Sequence, residues 1–240
     1  MNAYEEQALR SLQKWQAGMQ EHPSFTNKVS KNIQDRINRA IPEKVHEVIT
    51  ASIKQMTRAV FYGADFVNPK PLENASLRVR EHRVKGRIRF YRNTATAEGA
   101  VAGAGGILLG LADFPLWLAL KMKLLFEVAA LYGYDVRDYR ERLYMLHIFQ
   151  LTFSSQEQRS KVYFSMANWD DYLRDLPQDI SAFDWRTFQQ DYRDYIDIAK
   201  LIQLIPGIGA VAGAYVNHRL TEKLGDYAMN AYRLRHGMQS

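Results

Sequence analysis

The chain contains no cysteine. This excludes disulfide frameworks, thiolate metal sites and cysteine nucleophiles together, and it agrees with a reducing compartment. Long hydrophobic runs are missing too. The glycine-rich stretches Gly99 to Ala112 and Leu201 to Asn217 stay free of charge for only 14 and 17 residues, whereas a helix crossing the hydrocarbon core of a bilayer needs about 20. The N-terminal sequence MNAYEEQALRSLQKWQAG carries two early glutamates and no apolar segment of signal-peptide type, so a cytoplasmic protein is expected. Chemistry-bearing motifs are equally scarce. None of the six histidines, His22, His46, His82, His147, His218 and His236, forms H-E-x-x-H or a close pair on one helical face, and neither G-x-S-x-G nor a phosphate loop occurs. No metal and no cofactor is expected.

What is present is helical periodicity in a chain of 240 residues that is 47% hydrophobic, enough to bury a core without covalent staples. Apolar residues recur three or four apart in Tyr4, Ala8, Leu12, Trp15, Met19, then in Phe25, Val29, Ile33, Ile37, then in Val45, Ile49, Ile53, Met56, Val60. The same spacing returns in Trp185, Phe188, Tyr192, Tyr195, Ile196, Ala199 and in Leu220, Leu224, Tyr227, Ala231. Breaks fall at His22-Pro23, at Ile41-Pro42 and from Gly63 to Pro71. Ser155 with Gln158 has capping-box spacing, and Asp135 behind Gly133 reads as a helix start after a helix stop. The expected fold is all-α: a single multi-helix domain with a glycine-rich central hairpin and a glycine-rich C-terminal helix. Residues 1–68 form its N-terminal helical region, and residues 69–240 form the larger helical region packed with it.

The hexapeptide GAVAGA occurs twice, at 99–104 and 209–214. In the second copy Gly207, Gly209 and Ala212 match G-x-G-x-x-A, with Asp226 near the place of a ribose-binding acid. That fingerprint needs a strand before the glycines, and the preceding residues keep the helical period, so nucleotide binding is disfavoured. As helices the segments are coherent. Gly99 with Gly103, Gly106 with Gly110 and Gly209 with Gly213 each stand four apart, placing small residues on one face where another backbone comes close. A hairpin of Thr94–Ala112 and Phe114–Tyr132 follows, buried in the core or re-entrant at a membrane, with Asp113 as N-cap of the second helix or as an interior polar group. His147 lies in an apolar run and reads as a core histidine rather than a ligand.

Charge is uneven. Residues 1–100 hold 17 basic and 10 acidic groups, residues 101–200 hold 11 and 14, and Asp170 to Asp197 contains eight aspartates against three arginines. The segment Ser76 to Arg92 places Arg78, Arg80, Arg83, Lys85, Arg87, Arg89 and Arg92 against Glu81 alone. Such a segment suits an anionic surface, and its place just before an apolar hairpin favours lipid over nucleic acid.

Finally, AGAGGILLGLADFPLWLALKMKLLFEVAALYGYDVRDYRERLYMLHIF and IPGIGAVAGAYVNHRLTEKLGDYAMNAYRLR resemble the EcsC protein family, over about Ala95–Phe149 and Ile205–Arg235. The features carrying the likeness are the glycine-rich helix, Ala112-Asp113-Phe114-Pro115, Tyr132-Gly133-Tyr134-Asp135, Arg142, Asn217 and Tyr232 to Arg235. The family takes its name from a bacterial protein encoded beside an ABC transporter, and the resemblance implies a helical, cytoplasmic protein with a membrane connection and no assigned reaction. It flags Arg142, Asn217 and Arg219, which join Asp113 and His147 as a candidate polar site. The expected function is binding without chemistry, at the inner face of the cell membrane or with a membrane-protein partner. The alternative is a hydrolase-like site between the hairpin and the C-terminal helix, using Asp113 with His147 or His218.

Overall fold

The computed structural model describes residues 2–20, 43–62, 69–103, 106–177, 179–188, 192 and 210–236. The helices with both ends described are α1 (Ala3–Gln20), α2 (Glu43–Tyr62), α3 (Leu77–Gly103), α4 (Gly106–Tyr132), α5 (Tyr139–Phe153), α6 (Gln156–Ala167), α7 (Trp169–Arg174) and α8 (Ala210–Arg235), with a 3-10 turn at Ile180–Ala182, and residues 185–188 are helical as well. No strand occurs among the described residues, and the fold is all-α. The expected helix at Phe25 to Ile37, most of the one from Trp185 to Ala199, and Gly209 lie outside the described residues.

Local chemistry sets several helix starts. Asn2 opens α1 with a reciprocal cap, its Oδ1 accepting from the Tyr4 and Glu5 amides at 3.0 Å while the Glu5 carboxylate accepts from the Asn2 amide at 2.9 Å. Ser155 caps α6 by accepting from the Gln158 amide, as its spacing predicts. At the end of α4, Gly133 adopts φ +96° and closes the helix as a left-handed C′ residue, with Tyr134 N–H donating back to Ala129 O. The cap of α5 is Asp138 rather than Asp135, because the chain spends residues 135–138 in a turn of its own held by the Asp135 carboxylate on the Arg137 amide.

The central hairpin also differs from expectation. Helix α3 ends at Gly103 and α4 starts at Gly106, running without a break through Ala112, Asp113 and Pro115, so no helix begins at Asp113. Asp113 is exposed inside this helix and caps nothing. Pro115 removes one N–H donor and its ring crowds the carbonyl one turn back, yet the helix continues through it.

Packing follows the apolar stripes. Val45, Ile49, Ile53, Met56 and Val60 of α2 are all buried, as are Ala8, Leu12 and Met19 of α1. Helix α5 is the centre, buried at every position from Leu143 to Phe153, which explains why YMLHIFQLTF shows no amphipathic period. The most extensive contact joins α3 to α8, which run antiparallel: Arg233 lies against Glu81, Gly225 against Ile88 and Glu222 against Arg92. No helix among the described residues is long and apolar enough to cross a membrane.

Candidate functional site

The α3 stripe Leu77, Glu81, Val84, Ile88, Tyr91 turns inward, so Glu81 is fully buried on the apolar face. Four helices meet at its carboxylate. Arg233 of α8 donates to both oxygens, from Nε at 2.7 Å and Nη2 at 2.6 Å, while the hydroxyls of Tyr4 (α1) and Tyr132 (α4) donate at 2.6 and 3.2 Å. Asn230 Oδ1 accepts from Arg233 Nη1. Burial alone raises a carboxyl, but here the Arg233 and Tyr4 hydrogen bonds outweigh it and hold Glu81 below the ordinary value. Tyr4 is pushed up to about 12 by burial and by its bond to Glu81.

A second buried carboxylate behaves differently. Glu141 accepts from the Tyr232 hydroxyl at 2.5 Å and from Arg235 Nη1 at 2.6 Å, yet burial keeps its carboxyl above the ordinary value. The Arg235 guanidinium lies over the rings of Tyr134 and Tyr144, 4.2 and 4.4 Å from their centroids, so its charge is shared between a carboxylate and two aromatic faces.

The structure sorts the seven basic residues of α3 into different jobs. Arg80 is buried and donates to the carbonyls of Leu72, Ala75 and Leu131. Arg87 pairs with Glu127, whose carboxylate also accepts from the Tyr91 hydroxyl. Arg92 pairs with Glu222 at 3.1 Å. Lys85 projects over the Tyr4 ring, 5.7 Å from its centroid, toward α1. Arg78, Arg83 and Arg89 are exposed, and they flank Val79 (44% exposed) and Phe90 (52% exposed). Positions 79, 83, 86 and 90 share one helical face, so this surface is basic and partly apolar.

The five candidate polar residues are spread over separate environments. Asp113 is exposed on α4. Arg142 donates from Nε to Val136 O at 2.9 Å and from Nη1 to Phe61 O at 3.2 Å, tying α5 to the end of α2. His147 is buried, its Nδ1 2.8 Å from Leu143 O and its ring against Trp169, Tyr172 and Phe188. A carbonyl only accepts, so Nδ1 carries the proton; burial depresses this histidine to about 4 and keeps it neutral. Asn217 is buried and accepts from Trp117 Nε1 at 2.6 Å and Lys121 Nζ at 3.0 Å. Arg219 is exposed with Tyr215. Among the packing glycines, Gly99, Gly103, Gly106, Gly110 and Gly213 lie on described helix backbone, while Gly209 falls outside it.

Sequence reasoning missed Glu81 and Arg233, although a signal existed. Glu81 is the lone acid of a basic segment and occupies a position of the apolar stripe, where a carboxylate requires a buried partner.

Comparison with known proteins then decides kinship, since the EcsC protein family matches residues 6–236. The chain belongs to the EcsC protein family. That match takes in most of α1 and all of α2 as well as the glycine-rich segments, and Glu81 and Arg233 fall inside it, while Tyr4 lies just before its start. Among relatives, Protein EcsC of Bacillus subtilis (strain 168) is 41% identical over 228 residues, covering 95% of this chain and 94% of its own. Uncharacterized protein YdbA of the same organism is 24% identical over 251 aligned positions, covering 95% and 91%. No solved structure matches.

Proposed function

We propose that this EcsC-family protein is a non-enzymatic binding factor that docks on the anionic inner surface of the cell membrane through the exposed face of α3. The observation carrying this reading is the composition of that face. Arg78, Arg83 and Arg89 flank exposed Val79 and Phe90, and the only acid between them, Glu81, is turned inward and neutralised by Arg233. Basic residues near an anionic surface contribute about 1 kcal/mol each, and an apolar side chain entering the interface adds to them. Pro115 and the exposed Leu116 supply a further apolar contact from α4. The likeness to a protein encoded beside an ABC transporter makes a membrane-protein partner on that surface the natural extension.

The enzymatic alternative needs Asp113 to work with His147 or His218. Asp113 is exposed on α4, whereas His147 is enclosed by Trp169, Tyr172 and Phe188, and no observation favours that reading.

Co-sedimentation with vesicles of phosphatidylglycerol and phosphatidylcholine tests the proposal. Binding is expected at low salt, falling steeply as ionic strength rises, and the combined variant Arg78→Gln, Arg83→Gln, Arg89→Gln should lose it with far-UV circular dichroism unchanged. Wild-type protein that stays in the supernatant at low salt overturns the membrane reading.

A further inference from the structure

A cleft of about 590 Å³ lies between α1 and α8, within the range of small-molecule sites. Its walls are unlike the rest of the surface. Among the described residues, three cations from three helices border it, Lys14 of α1, Lys85 of α3 and Arg159 of α6, against a single acid, Asp226. Arg233 also reaches the cleft, but its charge is matched by Glu81. One wall is aromatic and apolar, formed by Trp15, Tyr227 and Met19, with Trp15 edge-on to Tyr227 at 5.8 Å.

Two buried donors on residues of this lining have no acceptor among the described residues, the indole Nε1 of Trp15 and Nε of Arg159. Buried N–H groups are paired in nearly all folded proteins, so two such donors on residues of one cleft mark a polar demand that the described residues leave unmet. The charge count selects the acceptor. Three cations less Asp226 leave two uncompensated positive charges, which suit a dianion better than a single carboxylate, and a phosphate monoester carries about −1.5 to −2 at neutral pH. The aromatic wall suits a flat or apolar body attached to it.

We infer that the α1–α8 cleft is a binding site for an organic phosphate monoester, its phosphoryl oxygens taken by Lys14, Lys85, Arg159 and the Trp15 indole and its body lying against Trp15 and Tyr227. The same chemistry is offered by a soluble phosphorylated metabolite and by the monoester headgroup of phosphatidic acid. The site is separate from the exposed α3 face, and the inference does not rest on membrane docking there.

The test uses the full chain and isothermal titration with 1-naphthyl phosphate as probe. Saturable one-to-one binding is expected, with inorganic phosphate competing weakly and neutral 1-naphthol at least ten-fold weaker. Lys14→Gln with Lys85→Gln should weaken the probe at least ten-fold at an unchanged melting temperature, and Trp15→Phe, which keeps the ring but removes the donor, should weaken the phosphate more than the naphthol. The control Arg83→Gln, Arg89→Gln should bind like wild type. Vesicles of phosphatidic acid against phosphatidylglycerol separate the sources. A preference for phosphatidic acid that Lys14→Gln with Lys85→Gln abolishes assigns the lipid, and its absence alongside probe binding assigns a soluble ligand. No binding of 1-naphthyl phosphate to wild type, or equal binding by the Lys14→Gln, Lys85→Gln variant, overturns the site.

Discussion

At the scale of single residues, two buried titratable groups give the protein two separable acid sensitivities. His147 is depressed to about 4 from its ordinary value near 6.5. The unfolded chain therefore binds a proton that the native state refuses, and stability present above pH 6.5 is lost as pH falls from there toward about 4. Glu81 is held below the ordinary carboxylate value, so its contribution is intact above about pH 4.5 and is lost only as pH falls further through its native value. Denaturant melts between pH 3 and 8 should show both slopes, with His147→Phe flattening the upper one to what His236, also lowered by burial, contributes and leaving the lower. Glu141 acts in the opposite sense, because burial raises it and its native form favours the proton, so its contribution is fullest below the ordinary value and declines as pH rises. Glu81→Gln leaves Arg233 buried against a neutral amide and should cost about 3–5 kcal/mol at pH 7. Glu141→Gln should cost less, since Arg235 keeps the faces of Tyr134 and Tyr144. Equal losses for the two variants would show that the rings do not share the Arg235 charge.

Between elements, the decisive contact is the antiparallel pairing of α3 with α8, and its closest approach is at Gly225. A Cβ there would fall 2.5 Å from Ile88 Cγ1 and 2.6 Å from Cδ1, and Ile88 is a β-branched residue with little freedom inside a helix. Alanine favours a helix over glycine by about 0.5–1 kcal/mol, but overpacking at this point should win. Gly225→Ala is expected to destabilise by about 1–3 kcal/mol, and Ile88→Ala in the same chain should recover part of the loss. A raised melting temperature for Gly225→Ala alone would contradict the close approach. Extended at the register set by Arg233 with Glu81 and Glu222 with Arg92, the pairing is expected to bring residues 99–103 opposite residues 211–215. Gly103→Leu and Gly213→Leu are therefore each expected to cost about 1–3 kcal/mol by overpacking, read as a drop in melting temperature.

The legibility of these elements varied with their surroundings. Helices α1 and α2 were readable because they bury one stripe and expose the rest, so period and burial coincide. The start of α4 was not. Asp113 and Pro115 read as a helix beginning because both residue types favour first turns, yet the chain had already entered the helix at Gly106. Gly225 escaped notice because a lone glycine carries no spacing, whereas paired glycines four apart do. For the candidate site, sequence gave a block of seven equivalent cations; only tertiary pairing divides them, since the partners Glu127 and Glu222 lie 40 and 130 positions away.

Over the whole molecule, charge is segregated. The described aspartates of the acidic stretch, Asp170, Asp171, Asp175, Asp179 and Asp184, are all exposed, while the basic excess lies on α3. With a net charge of +6, the protein should be retained on a cation exchanger at neutral pH. The double variant Arg83→Gln, Arg89→Gln should elute earlier than Arg87→Gln with Arg92→Gln, which removes as many charges, because the latter two are matched by Glu127 and Glu222. Similar elution of the two variants would count against a segregated surface.

The clasp made by Arg80 has a consequence for chemical accessibility. Its guanidinium is spent on three carbonyls, and Leu72 N–H is fastened in turn to Ala130 O at 2.7 Å. An arginine-directed reagent such as phenylglyoxal should consequently label Arg78 and Arg83 in the native protein while sparing Arg80. Mass mapping of the modified peptides would then time the opening of this clasp during denaturation, because Arg80 gains its adduct only when the segment leading into α3 lets go of α4.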